Sequence, residues 1–189
     1  NIRAFSSDKD QELTMARGYI KGAEESGVAA TIKHFPGDGC DERDQHLLVS
    51  VNDRSAEEWM DSYGMIYQNL IHEGARSVMI GHIAQPAMAR AINPDISKEE
   101  AFLPASQSET LLTGLLREKL GFNGLVVTDS TLMVGYMQCM PRRVAIPESI
   151  RCGCDMILFN RSIDEDVEYM KQGIADGRLS MERVDEAVT

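Results

Sequence analysis

Three short stretches carry the side chains most able to do chemistry. Lys33-His34-Phe35-Pro36-Gly37 lies near the start, and Asp44-Gln45-His46 follows closely. Far downstream, Asp129 ends the apolar run Leu125-Val126-Val127-Thr128. Together they supply a cation, two imidazoles and two carboxylates, in the order a sugar-cleaving site could use. Displacement with retention needs a carboxylate nucleophile on one face of the anomeric carbon and a proton donor on the other. A free imidazole has a pKa near 6.5, so only part of it carries a proton at neutral pH. A neighbouring carboxylate favours the charged ring and fixes its tautomer and orientation. Each group also has a plainer reading. Asp129 with Ser130-Thr131 could cap a helix, Asp44-x-His46 could be a solvated loop, and Lys33-His34 could be exposed polar residues after a strand.

These groups need a scaffold, and the apolar pattern indicates one. Residues 28–32, 77–80, 125–127 and 156–159 are short, continuous apolar runs, as in strands buried on both faces of a parallel sheet. Amphipathic stretches separate them. Leu13, Ala16, Ile20 and Ala23 recur at helical spacing, and Gly27 can end that helix. Ser55 with Glu58 forms a capping-box pattern ahead of the stripe Trp59, Tyr63, Ile66, Tyr67, Leu70 and Ile71. A third helix is expected from Ser106, with Glu109 three residues on, presenting Leu111, Leu112, Leu115 and Leu116 to the core. A short helix is expected to begin at Pro147. A longer one is expected over residues 162–176, and another from Ser180. The stretch from Ala89 to Phe102 reads as a surface loop. Residues 37–46 lack apolar anchors and read as a mobile lid that brings His46 to its target on closing.

Strand and helix alternate four times without a linker, which points to a parallel α/β fold. An open doubly wound sheet would be favoured by a glycine-rich dinucleotide fingerprint, and none is present. The polar residues instead follow several different strands, as in barrel enzymes. The expectation is a partial (β/α)8 TIM barrel, about its last four βα units, spanning residues 1–189. A closed barrel takes about eight strands and ~250 residues, so the other half is expected before Asn1.

Composition narrows the partners. The 189 residues are 43% hydrophobic and 26% charged, as in a soluble globular domain. A formal charge of −11 disfavours nucleic acid and anionic membrane, and no apolar run is long enough to span a bilayer. Cys152-Gly153-Cys154 lacks the two-residue spacing and second pair of a metal site, so Cys152 and Cys154 read as small buried thiols. No secretory signal opens the chain.

Lys33-His34-Phe35-Pro36-Gly37, Asp44-x-His46 and Val127-Thr128-Asp129-Ser130 together resemble glycoside hydrolase family 3. Within it the likeness is to the bacterial β-N-acetylglucosaminidase branch. It extends to Asn1-Ile2-Arg3-Ala4-Phe5, to the Leu115 to Phe122 stretch and to Arg183-Val184-Asp185-Glu186-Ala187. The resemblance implies Asp129 as nucleophile and His46 as acid/base with Asp44 as its partner. It implies Lys33, His34 and Arg3 as sugar ligands and Met133 as an apolar contact to the ring. His82 follows the second strand and either lines the site or is structural. Asp38 stands where many relatives carry His, and Ser130 where many carry a second acid.

The implied activity is that of a retaining exo-β-N-acetylglucosaminidase acting on a small carbohydrate, a muropeptide or a chitin-type oligosaccharide. No cofactor or metal is implied. The alternatives are a β-glucosidase of the same family, a β-GlcNAc phosphorylase, and an inactive fragment or binding module. Phosphorolysis follows from charge: an imidazole base does not repel an incoming phosphate as a carboxylate would. The isolated piece is expected to be inactive, because half a barrel exposes two sheet edges. An open-sheet nucleotide-binding protein is the weakest reading. The resemblance leaves the compartment and the oligomeric state open, with the cytoplasm favoured over export.

Overall fold

The computed structural model describes residues 4–189. Six strands and nine α-helices follow one another among these residues. The strands are β1 (Thr31–Phe35), β2 (Ser50–Val51), β3 (Ser77–Ile80), β4 (Ile83–Ala84), β5 (Leu125–Ser130) and β6 (Met156–Leu158). The helices are α1 (Lys9–Glu25), α2 (Ala56–Trp59), α3 (Met65–His72), α4 (Pro86–Ile92), α5 (Lys98–Ala101), α6 (Val134–Met137), α7 (Arg142–Cys152), α8 (Ile163–Ala175) and α9 (Met181–Val188). A π-turn over Met60–Gly64 joins α2 to α3, and a π-helix spans Thr110–Lys119. Four strands form one parallel sheet in the order β1-β3-β5-β6, and β2 pairs with β4 in a separate parallel pair. This is the α/β architecture expected from the alternating pattern.

Local signals start most of the helices. Asp8 accepts from the N–H groups of Asp10 and Gln11 at 3.0 and 2.9 Å, capping α1. The Ser55–Glu58 box is closed in both directions, at 2.9 and 3.2 Å. The four leucines of the third predicted helix are at most 1% exposed. They pack with Phe35, Val78, Ile80, Trp59 and Tyr67 in the main core. Full burial of one such side chain contributes about 1.5–3 kcal/mol. Cys152 and Cys154 lie in the same core with no exposure, and burial pushes both thiols up in pKa.

Several expected boundaries are corrected. The first strand is 31–35, not 28–32: pairing with β3 begins at Thr31, while Val28 is 60% exposed. The third strand continues through Asp129 to Ser130 because β6 pairs with it that far. The third helix does not start from Ser106. That hydroxyl is buried against His82, and Ser108 accepts from Leu111 N–H instead. Pro147 does not open a helix but lies inside α7. It packs on α8 at Gly173, where a Cβ would stand 2.6 Å from the proline Cβ. The 89–102 stretch is not a loop. It holds part of α4 and all of α5, and α5 opens with a Ser97–Glu100 capping box.

The sheet is regular in its middle and irregular where the polar residues sit. β3 and β5 pair residue for residue from Ser77↔Leu125 to Ile80↔Thr128. Between Ile32 and Phe35, β1 advances three residues while β3 advances two, so one extra residue falls at Lys33-His34. β5 does the same against β6 between Val127 and Ser130, at Thr128-Asp129. The Thr128 hydroxyl fills the second gap by accepting from Leu158 N–H at 3.0 Å. A bulge adds local twist and re-aims the side chains at its position.

Candidate active site

The carboxyl ends of β1 and β5 open into a cavity of about 540 Å³. Lys33, His34, Asp38, Asp44, His46, Asp129 and Met133 all line it. The structure thus brings together every expected site residue that it describes. Arg3, expected to hold a sugar ring, lies outside the described residues. The bulge at Lys33-His34 sends the two side chains to different surroundings: Lys33 is exposed, and His34 is 9% exposed. The Lys33–His34 and Phe35–Pro36 peptides are both cis.

The turn after β1 is held from below. Trp59 donates its indole N–H to Pro36 O at 2.6 Å, and Asn52 donates to Gly37 O at 3.1 Å. Gly37 has φ +122°, and a Cβ there would stand 2.3 Å from the Tyr63 ring. Only glycine fits that turn.

Asp129 sits in a firm setting. Its side chain is 16% exposed. Oδ1 accepts from Ser130 N–H at 2.7 Å, and Oδ2 lies 3.5 Å from His34 Nε2. The other ring nitrogen of His34 lies 3.6 Å from Asp38 Oδ2. His34 therefore stands between two carboxylates, Asp38 and Asp129. Behind Asp129, Arg142 is buried and forks onto Asp166 at 2.9 and 2.6 Å while donating to Thr131 O at 2.8 Å. Met133 is 5% exposed and floors the cavity beside them.

The Asp44–His46 pair is set differently. Both side chains are more than half exposed, at 61% and 62%. Asp44 Oδ1 lies 2.6 Å from His46 Nδ1 and also accepts from His46 N–H at 2.9 Å. With Nδ1 taken, Nε2 is the nitrogen left to meet a substrate. The segment carrying the pair has no large apolar anchor, as expected, but it has polar ones. Asp41 Oδ2 accepts from Val51 N–H and Arg43 Nε, both at 2.7 Å. The Arg43 guanidinium, followed by these backbone donors, holds the Asp41 carboxyl well below the usual carboxylate range. Cys40 Sγ meets Tyr63 OH at 3.2 Å.

His82 is structural, one of the two roles expected for it. Its ring is fully buried, with Nδ1 3.0 Å from Ser106 Oγ and Nε2 3.0 Å from Ser130 O. A carbonyl can only accept, so Nε2 carries the hydrogen and Nδ1 accepts from the serine. Burial pushes this histidine below its ordinary pKa, against the raising effects of Ser130 O and Asp129. Gln45 was missed by sequence reasoning. It is 5% exposed, and nothing in Asp44-Gln45-His46 marks the middle residue as different from its neighbours. Among the described residues, no three His, Cys, Asp or Glu side chains converge to hold a metal ion.

The cavity lining carries five carboxylates, Asp38, Asp41, Glu42, Asp44 and Asp129, two imidazoles, His34 and His46, and two cations, Lys33 and Arg43, the latter paired with Asp41. Known proteins resemble this chain throughout. A beta-N-acetylglucosaminidase/beta-glucosidase of Cellulomonas fimi is 50% identical over 189 residues, all of this chain and 33% of that protein. A beta-hexosaminidase of Psychromonas ingrahamii is 34% identical over 157 residues, 82% of this chain and 43% of that protein. A solved structure described as beta-glucoside phosphorylase BglX superposes with a TM-score of 0.96 at 50% identity, covering all of this chain and 34% of that one. The chain thus spans between a third and a half of the length of these relatives. Residues 1–189 match the family described as the glycosyl hydrolase family 3 N-terminal domain, and the chain belongs to that family.

Proposed function

We propose that this chain carries the catalytic groups of a retaining exo-β-N-acetylglucosaminidase. One observation carries the reading: the Asp44–His46 pair, joined at 2.6 Å, lines the same cavity as Asp129. In the first step the Asp129 carboxylate attacks the anomeric carbon as the bond to the aglycone oxygen breaks. The His46 imidazolium gives its proton to that oxygen, and a glycosyl-enzyme ester forms. In the second step neutral His46 takes a proton from water, the water oxygen bonds to the anomeric carbon, and Asp129 is released. Asp44 stabilises the charged ring and holds its tautomer. Lys33, His34 and Arg3 would bind sugar hydroxyls, and Met133 would pack on the ring. The exposure of the pair supports a lid that closes over substrate before His46 can act.

The scaffold proposal is that these four βα units form the second half of a (β/α)8 barrel, with residues 1–189 as one piece of that domain. Its support lies in the sheet. β1 and β6 are open edges, and Leu125 and Met156 are 40% and 49% exposed on an uncovered face. Four further strands would pair both edges and cover those side chains.

A second reading is favoured by the imidazole base, which carries no negative charge to repel phosphate, and by the likeness to the structure described as a phosphorylase. Phosphate could replace water in the second step and release a sugar 1-phosphate, as the description of the phosphorylase relative indicates for that protein. The test is product analysis with the full-length protein and aryl β-N-acetylglucosaminides and β-glucosides, in buffers with and without phosphate. Free β-N-acetylglucosamine in both buffers supports the first reading, and sugar 1-phosphate in phosphate buffer supports the second. No turnover of either glycoside class would end both.

A further inference from the structure

We propose that Gln45 is the positioning residue of the acid/base loop, fixing the point about which Asp44 and His46 are presented to the bond that Asp129 attacks. This rests on the acid/base reading above. Gln45 is 5% exposed although the side chains on either side of it are more than half exposed. Its Oε1 accepts from the buried His82 N–H at 2.7 Å, and its Nε2 donates to Asp38 Oδ2 at 3.2 Å. Its backbone oxygen accepts from Gly135 N–H at 3.2 Å, and the oxygen of His46 accepts from Val134 N–H at 3.0 Å.

Two glycines make room for this anchor. A Cβ at Gly81 would stand 2.9 Å from Gln45 Oε1, and one at Gly135 would stand 2.6 Å from Gln45 O. Gly81 directly follows β3 and Gly135 lies in α6 beyond β5, so the residue between the proposed acid/base pair is seated in a slot built by a strand end and a short helix. An amide is the side chain this slot calls for. It presents an acceptor and a donor from one planar group, and the two partners here are a peptide N–H and a carboxylate.

The anchor reaches Asp129 by two routes. Through Nε2 it meets Asp38 Oδ2, the oxygen 3.6 Å from His34, whose other nitrogen is 3.5 Å from Asp129. Through Oε1 it meets His82, whose ring bonds the carbonyl of Ser130 next to Asp129. The two halves of the proposed chemistry sit on different segments, and Gln45 is where their polar networks join. Gln45 bonds Asp38 and the His82 peptide N–H but not Asp129, whereas it sits between Asp44 and His46 in the chain, so a defect at this point acts on proton delivery before it acts on Asp129.

The experiment compares Gln45→Met and Gln45→Glu with His46→Ala in the full-length protein, on phenyl and dinitrophenyl β-N-acetylglucosaminides. Gln45→Met removes both hydrogen bonds at similar volume. Gln45→Glu keeps an acceptor for the His82 peptide N–H but turns the contact with Asp38 into one between two carboxylates; Gln45→Asn, which keeps an acceptor and a donor on a shorter stem, serves if neither of these variants folds. Misplacement of a catalytic group by about 1 Å can cost ~100-fold. Roughly a tenfold to hundredfold loss of kcat/KM is therefore expected on the phenyl glycoside, whose leaving group needs the proton. Less than about a threefold loss is expected on the dinitrophenyl glycoside, whose leaving group does not. Added azide, attacking the anomeric carbon and displacing Asp129, is expected to restore kcat on the dinitrophenyl substrate and yield the glycosyl azide. Equal losses on both substrates, or none on either, would overturn the proposal provided His46→Ala shows the split. If His46→Ala itself shows no split, the acid/base reading fails and this inference goes with it.

Discussion

Asp129 and the Asp44–His46 pair line one cavity but are supported in opposite ways. Asp129 is 16% exposed, lies within a paired strand and has the buried Arg142–Asp166 pair behind its loop. Asp44 and His46 are more than half exposed on a segment fastened by polar contacts. A nucleophile must meet one carbon along one line, so a rigid support suits it. An acid/base must follow an oxygen that departs and a water that arrives, so a group on a movable segment suits that task. The contrast between a buried carboxylate and an exposed proton carrier on a polar-anchored segment is the physical content of the proposed mechanism.

Substitution on the two sides should separate them. Asp129→Asn is expected to lower turnover by roughly four orders of magnitude or more on every substrate, since no other described group replaces the nucleophile. A residual rate that depends on leaving group would break the contrast. His46→Ala is expected to cost about 10²–10⁴-fold on unactivated glycosides, and Asp44→Asn less, because the imidazole remains. Equal losses for both aspartate variants would put the nucleophile elsewhere.

Stability should show the same asymmetry. Arg142→Ala leaves Asp166 charged and buried without its partner, which is expected to cost about 3–5 kcal/mol in denaturant unfolding. A loss like that of an exposed pair would show that the segment after Asp129 is not held from behind. A smaller effect is expected from pH. The folded protein holds His82 below its ordinary pKa, so this contribution is complete above about pH 6.5 and is lost as pH falls from there toward the folded value. The thermal midpoint should drop between pH 7 and 5, and His82→Gln should flatten that slope. An unchanged slope would assign the drop to other groups. The smallest effect is expected at Asp41, whose partner Arg43 is half exposed. Asp41→Asn should cost about 1 kcal/mol at neutral pH. Because the Asp41 carboxyl is depressed in the fold, the difference should persist down to about pH 4 and vanish only below it.

Much of the scaffold was legible before any coordinates. Leu111, Leu112, Leu115 and Leu116 recur at helical spacing because one stripe of the helix faces the core. Ser55 with Glu58 starts a helix because the two side chains satisfy each other's backbone donors. The same pattern at Ser97 with Glu100 opens α5 inside a stretch whose overall polarity suggests a loop. Pro147 was misread because proline usually marks a first helical turn. Its contact with Gly173 lies in another helix, which periodicity within one segment cannot reveal.

The candidate site divides along the same line. The chemistry-bearing residues could be named from the sequence because reactivity depends on residue type. Asp129, His46, Asp44, Lys33, His34 and Met133 all reach one cavity. Their aim could not be read there. The bulges at Lys33-His34 and Thr128-Asp129 arise from the register of each strand against its neighbour. Gln45 became visible only when segments distant in the chain closed around it, since its partners come from Asp38, His82 and Gly135. Sequence by itself determined which groups are available and which faces are apolar, because side-chain chemistry and hydrophobic spacing are local. Tertiary structure decided which of those groups are rigid, which are exposed and which are joined, because burial and hydrogen bonding depend on atoms the chain supplies from elsewhere.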